Sequence, residues 1–304
     1  MRPPQRDLAA RLDARLLSYH EKVRPLPGIQ APDARLSFLE QILDSVHRVS
    51  YPLVLKSRKL SARRTDPEDE LFDPLMAAII RQGEGNLEEA FWLVFLFVLF
   101  GKSHKTGWQL TRAVYAGSGP RWDWTTTSGN PRAFREWLRA NQGHLMSLGG
   151  TGNHRRYLSL DADYRAGVGE AVETYVAWVA RRGLHSRLIE RALVQAKGDR
   201  QAAFHALYRS LTSVASFGRL ARFDYLCMLA TLRLAEIAPG STYLQGSTGP
   251  LKGARRLFAV NGGPSQLDAW LMELDGELRV GAQVLEDALC NWQKSPLAFK
   301  PVRV

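Results

Sequence analysis

Cysteine is scarce in this chain: there are two in 304 residues, Cys227 and Cys290, each in an apolar helical context. That excludes a disulfide scaffold and predicts buried free thiols in a reducing compartment. No CxxC, HExxH or EF-hand pattern occurs, so no metal site is readable and no cofactor is expected. Long apolar runs are missing too. The greasiest stretch, residues 90–100 (AFWLVFLFVLF), has 11 residues, where about 20 are needed to span a bilayer. The N-terminal MRPPQRDLAARLDARLL is charged and amphipathic and lacks the apolar core of a signal peptide. The expectation is a soluble, cytoplasmic monomer with no membrane partner. Alternating Val/Ile/Thr runs are absent, which excludes an extensive sheet.

What the chain has in excess is positive charge. It carries 41 basic and 30 acidic residues, a net +11, and its pI is about 9.9. A polyanionic partner is implied, nucleic acid being the commonest. Nine of the basic residues are Lys and the others Arg, whose planar fork suits phosphate oxygens and base edges. A GC-rich genome would also raise Arg over Lys, so the ratio alone does not choose between these causes. Helical periodicity runs almost throughout. Residues 34–55 read as a helix up to Pro52, and Asn86 reads as the N-cap of a buried helix that ends near Gly101. Glu88 and Glu89 fall in that helix's first turn, where carboxylates suit the dipole. Residues 106–115 read as a short helix and 122–129 as a turn-rich connection. Asn130-Pro131 opens a helix to residue 141. Further helices are expected over 168–181, 186–196, 200–211, 217–232, 254–259, 265–275 and 282–293. The predicted fold is all-α. Residues 1–85 form an N-terminal helical region, loose up to about Pro32, and 86–304 form the catalytic region of one compact body.

One carboxylate stands out. Asp224 lies in SVASFGRLARFDYLCMLAT (213–231), a helix apolar nearly all round. Such a helix should be buried, and an ionised carboxylate there costs several kcal/mol unless paired. Either Asp224 pairs structurally with Arg219, Arg222 or a backbone cap, or it is kept for chemistry. Three glycine-containing basic loops adjoin helix ends: GKSHKTGW (101–108), GGTGNHRRY (149–157) and YLQGSTGPLKGARR (243–256). Their glycines let amides approach phosphate, and Lys102, His104, Lys105, Asn153, His154, Arg155, Arg156, Lys252 and Arg255 supply candidate phosphate contacts, as do Arg219 and Arg222. The third loop lacks the GxxxxGK[ST] spacing of a nucleotide P-loop. Trp108, Tyr243 and Gln245 are candidates to line a pocket for a flipped base, and Trp122, Trp124 and Tyr157 could stack similarly. Residues 200–225 also read as a helix-hairpin-helix-like element turning at Phe217-Gly218. An acid near such a turn could stabilise a cationic sugar.

The run EEAFWLVFLFVLFGKS, then GGTGNHRRYLSLDA, FGRLARFDYLCMLATL, YLQGSTGPLKGARRLF and VLEDALCNWQK resembles the helical alpha-glutamyl/putrescinyl thymine pyrophosphorylase family, over residues 86–294. The resemblance implies kinship with helical DNA glycosylases and a place in phage base hypermodification or the defence against it. The leading expectation from it is a DNA glycosylase. It would excise a bulky modified pyrimidine, such as glucosylated hydroxymethylcytosine, from double-stranded phage DNA, with the catalytic Asp224 stabilising the oxocarbenium-like sugar or orienting water. Lys102 or Lys252 as a nucleophile would add strand nicking. Two alternatives stand beside it: a transferase that displaces pyrophosphate from activated hydroxymethyluracil in DNA, and a non-catalytic module that binds modified DNA. One departure is visible. Hairpin glycosylases hold their aspartate at a position that here falls in residues 238–240, which contain no acid. Asp224 and Glu236 are nearest, with Asp268, Glu286 and Asp287 as backups.

Overall fold

The computed structural model describes residues 3–155 and 158–301. Among the described residues it is all-α, as expected, with fourteen helices and only two isolated strand-like bridges, Ser103–Gly107 and Ser159–Gly167. In chain order the helices are α1 (Pro3–Lys22), α2 (Pro32–Lys56), α3 (Pro74–Gly83), α4 (Leu87–Phe100), α5 (Gln109–Ala116), α6 (Trp124–Gly129) and α7 (Pro131–Ser147). Then follow α8 (Val168–Ala180), α9 (His185–Gln195), α10 (Arg200–Ser210), α11 (Arg219–Thr231), α12 (Gly249–Phe258), α13 (Pro264–Leu278) and α14 (Ala282–Trp292). No described helix is long and apolar enough to cross a membrane.

The chain forms two compact units. The terminal unit joins Met1–Tyr51 to Pro239–Val304, and the central unit is Pro52–Ala238. The boundary expected at residue 85 lies inside the central unit. In the terminal unit, α1 is not the loose arm expected up to Pro32. Its stripe Ala9, Leu12, Leu16 and Tyr19 recurs at helical spacing and is buried in a core with Phe38, Leu271 and Trp292. Tyr19 donates to Glu273 at 3.2 Å, and burial next to that carboxylate pushes its phenol up to about 12. α12 crosses α14 closely: a Cβ at Gly253 would lie 2.5 Å from the Leu289 carbonyl oxygen.

The central unit is organised around α4, which is buried on every face from Glu89 to Phe100 except at Phe97. Asn86 caps it by accepting from Glu89 N, and Gly101 ends it with φ +63°. Its aromatic side chains meet those of α8 and α6. Phe95 stacks on Tyr175 with centroids 3.7 Å apart, and Trp92 packs on Trp124. Phe217, just before α11, sits against both Phe95 and Tyr225.

Glu88 and Glu89 do more than face the α4 dipole. Glu89 is buried and accepts from Tyr115 Oη and from Trp124 N, the first amide of α6, both at 2.7 Å. Burial raises its pKa, against the pull of those bonds. Glu88 accepts from the first amides of α9, His185 N at 3.0 Å and Ser186 N at 3.4 Å. α9 has no side-chain cap of its own, and neither does its neighbouring Leu184 supply one. Two adjacent residues of α4 thus satisfy the starts of two other helices. At the other end, the C-terminal carbonyl of α11, Leu232 O, accepts from Lys56 Nζ at 2.6 Å and Gln82 Nε2 at 3.0 Å.

Candidate functional site

The first two basic loops meet at the C-terminus of α4. Ser103 and Gly107 exchange backbone hydrogen bonds of 3.0 and 2.9 Å, and Ser103 Oγ accepts from the amides of Lys105 and Thr106. This tight turn presents Lys102, His104 and Lys105 to solvent. The second loop lies against it. Gly152 N donates to Phe100 O at 2.9 Å, and a Cβ on Gly152 would come within 3.0 Å of the Gly101 carbonyl carbon and Lys102 O. Gly149, at φ +107°, would place a Cβ 2.8 Å from Thr106 Cγ2. The glycines are therefore needed for loop-on-loop contact.

Arg155 is the hub of this arrangement. Its Nε donates to Val98 O at 2.7 Å, one of the orphan carbonyls at the end of α4, and its Nη1 donates to His154 O. Its Nη2 donates to Asp224 Oδ2 at 3.2 Å. Burial lowers the Arg155 pKa, while Asp224 opposes that shift. Arg155, from a loop 69 residues away, is a partner of Asp224 that sequence reading did not name. The buried member of the pair is the arginine: its side chain is 12% exposed, against 40% for Asp224. Leu220 and Met228, one turn either side of Asp224, are likewise only half-buried, so this face of α11 opens at a rim.

The remaining candidates divide clearly. Arg222 lies over the Tyr208 ring at 4.4 Å and donates to Tyr208 O, and Arg219 lies over Phe223 at 5.3 Å. Trp108 is half-buried, with its Nε1 donating to Asp73 at 2.9 Å and its ring on Phe97. His154 is exposed beside Arg155, and Asn153 opens the same short helical turn. Arg156 and Tyr157 lie outside the described residues. The third loop belongs to the terminal unit. There Tyr243 is buried at φ +52°, while Gln245 and Lys252 are exposed. Arg255 donates to Gly262 O. Asp268 holds the loop through Thr242 Oγ1 and Leu244 N. Asp287 pairs with Arg48, and Glu286 is buried.

The central unit also contains a hydrogen-bonded chain that sequence reading missed: Glu88, His185, Tyr175 and Tyr225. His185 Nδ1 lies 2.7 Å from Glu88 Oε2, His185 Nε2 lies 2.7 Å from Tyr175 Oη, and Tyr175 Oη lies 2.8 Å from Tyr225 Oη. Burial holds the His185 imidazole below its ordinary 6.5, although Glu88 pulls the other way. Burial would raise Glu88, but the His185 contacts outweigh it and keep Glu88 below its ordinary 4.5. The polarity follows from this. A neutral His185 donates through Nδ1 to ionised Glu88, so Nε2 must accept from Tyr175, and Tyr175 must accept from Tyr225. The chain ties α11, the helix of Asp224, to α8, α9 and α4. Its members come from four separate segments, and no local motif marks them.

Among the described residues the chain is all-helical, and its first two glycine-containing basic loops meet where Arg155 holds the rim carboxylate Asp224. The chain belongs to the alpha-glutamyl/putrescinyl thymine pyrophosphorylase family, clade 3, whose family model matches residues 33–304. No curated protein and no solved structure gives a match. The family's described activity is that of a pyrophosphorylase, which overturns the expected DNA glycosylase and its hydrolase chemistry. Glu236, the acid nearest the position a hairpin glycosylase would use, is exposed and paired with Arg200 at 3.2 Å. What remains of the hairpin expectation is the helix–turn–helix of α10 and α11, pinned by Phe217.

Proposed function

We propose that the protein is a transferase that displaces pyrophosphate from an activated 5-hydroxymethyluracil in DNA, with an amine as the nucleophile. Support comes from the family's description, which names pyrophosphorylase activity on glutamyl- or putrescinyl-modified thymine. The single observation that carries the reading is the Arg155–Asp224 pair at the junction of two basic loops. In the reaction the bond between the C5 methylene and the pyrophosphate oxygen breaks, and oxygen keeps the electron pair. A carbon–nitrogen bond forms to the amine, and the proton the amine loses passes to the Asp224 carboxylate and then to water. Lys102, His104, Lys105 and His154 are exposed on the two loops, where they would hold the leaving pyrophosphate and the DNA backbone. Arg155 donates to Asp224 Oδ2 and holds the carboxylate in place.

The test uses purified protein and a duplex carrying pyrophosphorylated hydroxymethyluracil, with and without glutamate or putrescine. Amine-dependent pyrophosphate release is expected. Asp224→Asn should lower it about 10²–10⁴-fold, the range for loss of a general base, with duplex affinity unchanged. Free base and abasic sites as the products, or an Asp224→Asn variant at full activity, would overturn the proposal.

A further inference from the structure

The reaction proposed above uses residues at the C-terminal end of α4 and on α11. A different part of the central unit carries a long stretch of largely uncompensated charge. Residues 181–209, the end of α8 through α10, hold Arg181, Arg182, Arg187, Arg191, Lys197, Arg200 and Arg209 against only Glu190 and Asp199, a net +5 of the chain's +11. All seven cations are exposed. Among the described residues only Arg200 of the seven has an acidic partner, Glu236. The one other nearby acid on this stretch besides Glu190, Asp199, is occupied in capping α10, accepting from Gln201 N and Ala202 N. By contrast, Arg24, Arg48, Arg63, Arg81, Arg135 and Arg139 sit in ion pairs.

The helical hairpin arranges this charge on one kind of surface. α9 buries His185, Leu188, Ile189 and Ala192, and α10 buries Ala203, Phe204, Leu207 and Tyr208. The basic residues on the exposed faces are Arg187 and Arg191 on α9 and Arg200 and Arg209 on α10. Arg187 and Arg191 are one turn apart, a rise of about 6 Å. A tight turn with positive φ at Lys197 and Gly198 joins the helices and presents Lys197. Apolar contact is nearly absent from the exposed side, where Val194 is the main large hydrophobic residue on either helix. That argues against a membrane surface, which needs an apolar face as well as cations. Guanidinium groups on rigid helices, unpaired and in rows, suit the oxygens of a phosphodiester backbone.

We infer that the α9–α10 hairpin is a second, sequence-independent grip on the backbone of duplex DNA, separate from the loops around Asp224. The inference takes DNA as the partner from the proposed function but uses none of that site's residues. The test is fluorescence anisotropy with the full chain and an unmodified duplex, titrated at several salt concentrations. Arg187→Gln/Arg191→Gln should weaken binding about tenfold or more at moderate salt and flatten the slope of log affinity against log salt by about 2. Arg187→Glu/Arg191→Glu should weaken it further, and the circular dichroism of both variants should match the parent. Unchanged affinity and slope in both variants, or equal loss of binding to vesicles of anionic lipid, would overturn the inference. Because the duplex is unmodified and no turnover is read, a failed pyrophosphate assay leaves this result standing, and the converse holds.

Discussion

The Tyr225–Tyr175–His185–Glu88 chain yields a prediction whose sign depends on the order of deletion. Tyr225→Phe removes the terminal hydroxyl. Tyr175 Oη loses one donor but still donates to His185, so the cost is that of one buried hydrogen bond, about 1 kcal/mol. Tyr175→Phe removes a middle link and leaves two buried groups without partners, His185 Nε2 and the Tyr225 hydroxyl. Each orphaned group costs about 1–3 kcal/mol, so the total is about 2–6 kcal/mol. In the Tyr175→Phe background, Tyr225→Phe then deletes an orphan instead of a bond and should be neutral or stabilising. The cycle should show a coupling of about 2 kcal/mol. Because the chain folds as two compact units, one global melting curve would mix their transitions. Hydrogen exchange of the amides of α8 and α11 reports on the central unit alone. For a body of this size, each kcal/mol also shifts its melting midpoint by about 2–4 °C. Equal costs for the two single variants, adding in the double variant, would refute the deduced polarity of the chain.

Three further outcomes follow from the geometry. Arg155→Met should cost about 1–3 kcal/mol, because it orphans Val98 O and breaks the pair with Asp224; urea unfolding checks the stability, and amine-dependent pyrophosphate release should fall with it. Gly152→Ala should destabilise the loop junction, since its Cβ would meet backbone at 3.0 Å, whereas Gly150→Ala meets nothing within 4 Å and should be silent in thermal unfolding. Stability should fall on acidification in two steps. As pH drops through 6.5 the unfolded His185 takes a proton that the folded, buried imidazole refuses, and below 4.5 Glu88, held low in the folded chain, begins to lose its contribution. His185→Gln should flatten the first step in urea midpoints measured between pH 5 and 7.5.

Much of the fold can be read residue by residue. Asn86, the apolar run after it and Gly101 mark both ends of α4, and Asn130-Pro131 marks the start of α7, which then runs six residues further than its polar face suggests. α6 escapes because Trp124–Gly129 looks like a turn; it is a helix because Asp123 caps it and Glu89 receives its first amide. α12 starts at Gly249 rather than Ala254, since Pro250 occupies its first turn and Gly249 is needed where the backbone meets Cys290. At the site, glycine and charge flagged the two loops that meet. That the third loop folds with the chain's ends, and that Asp224 is held by Arg155, depends on pairings between distant segments that no local spacing encodes.

The capping by Glu88 and Glu89 has a consequence for how the chain tolerates changes of length. The two carboxylates start α6 and α9 from consecutive positions of one helix. Deleting or inserting one residue among 84–86 would rotate the start of α4 by about 100° and carry both carboxylates off their targets together. This short turn is therefore a fixed spacer, and insertions in relatives are expected to avoid it.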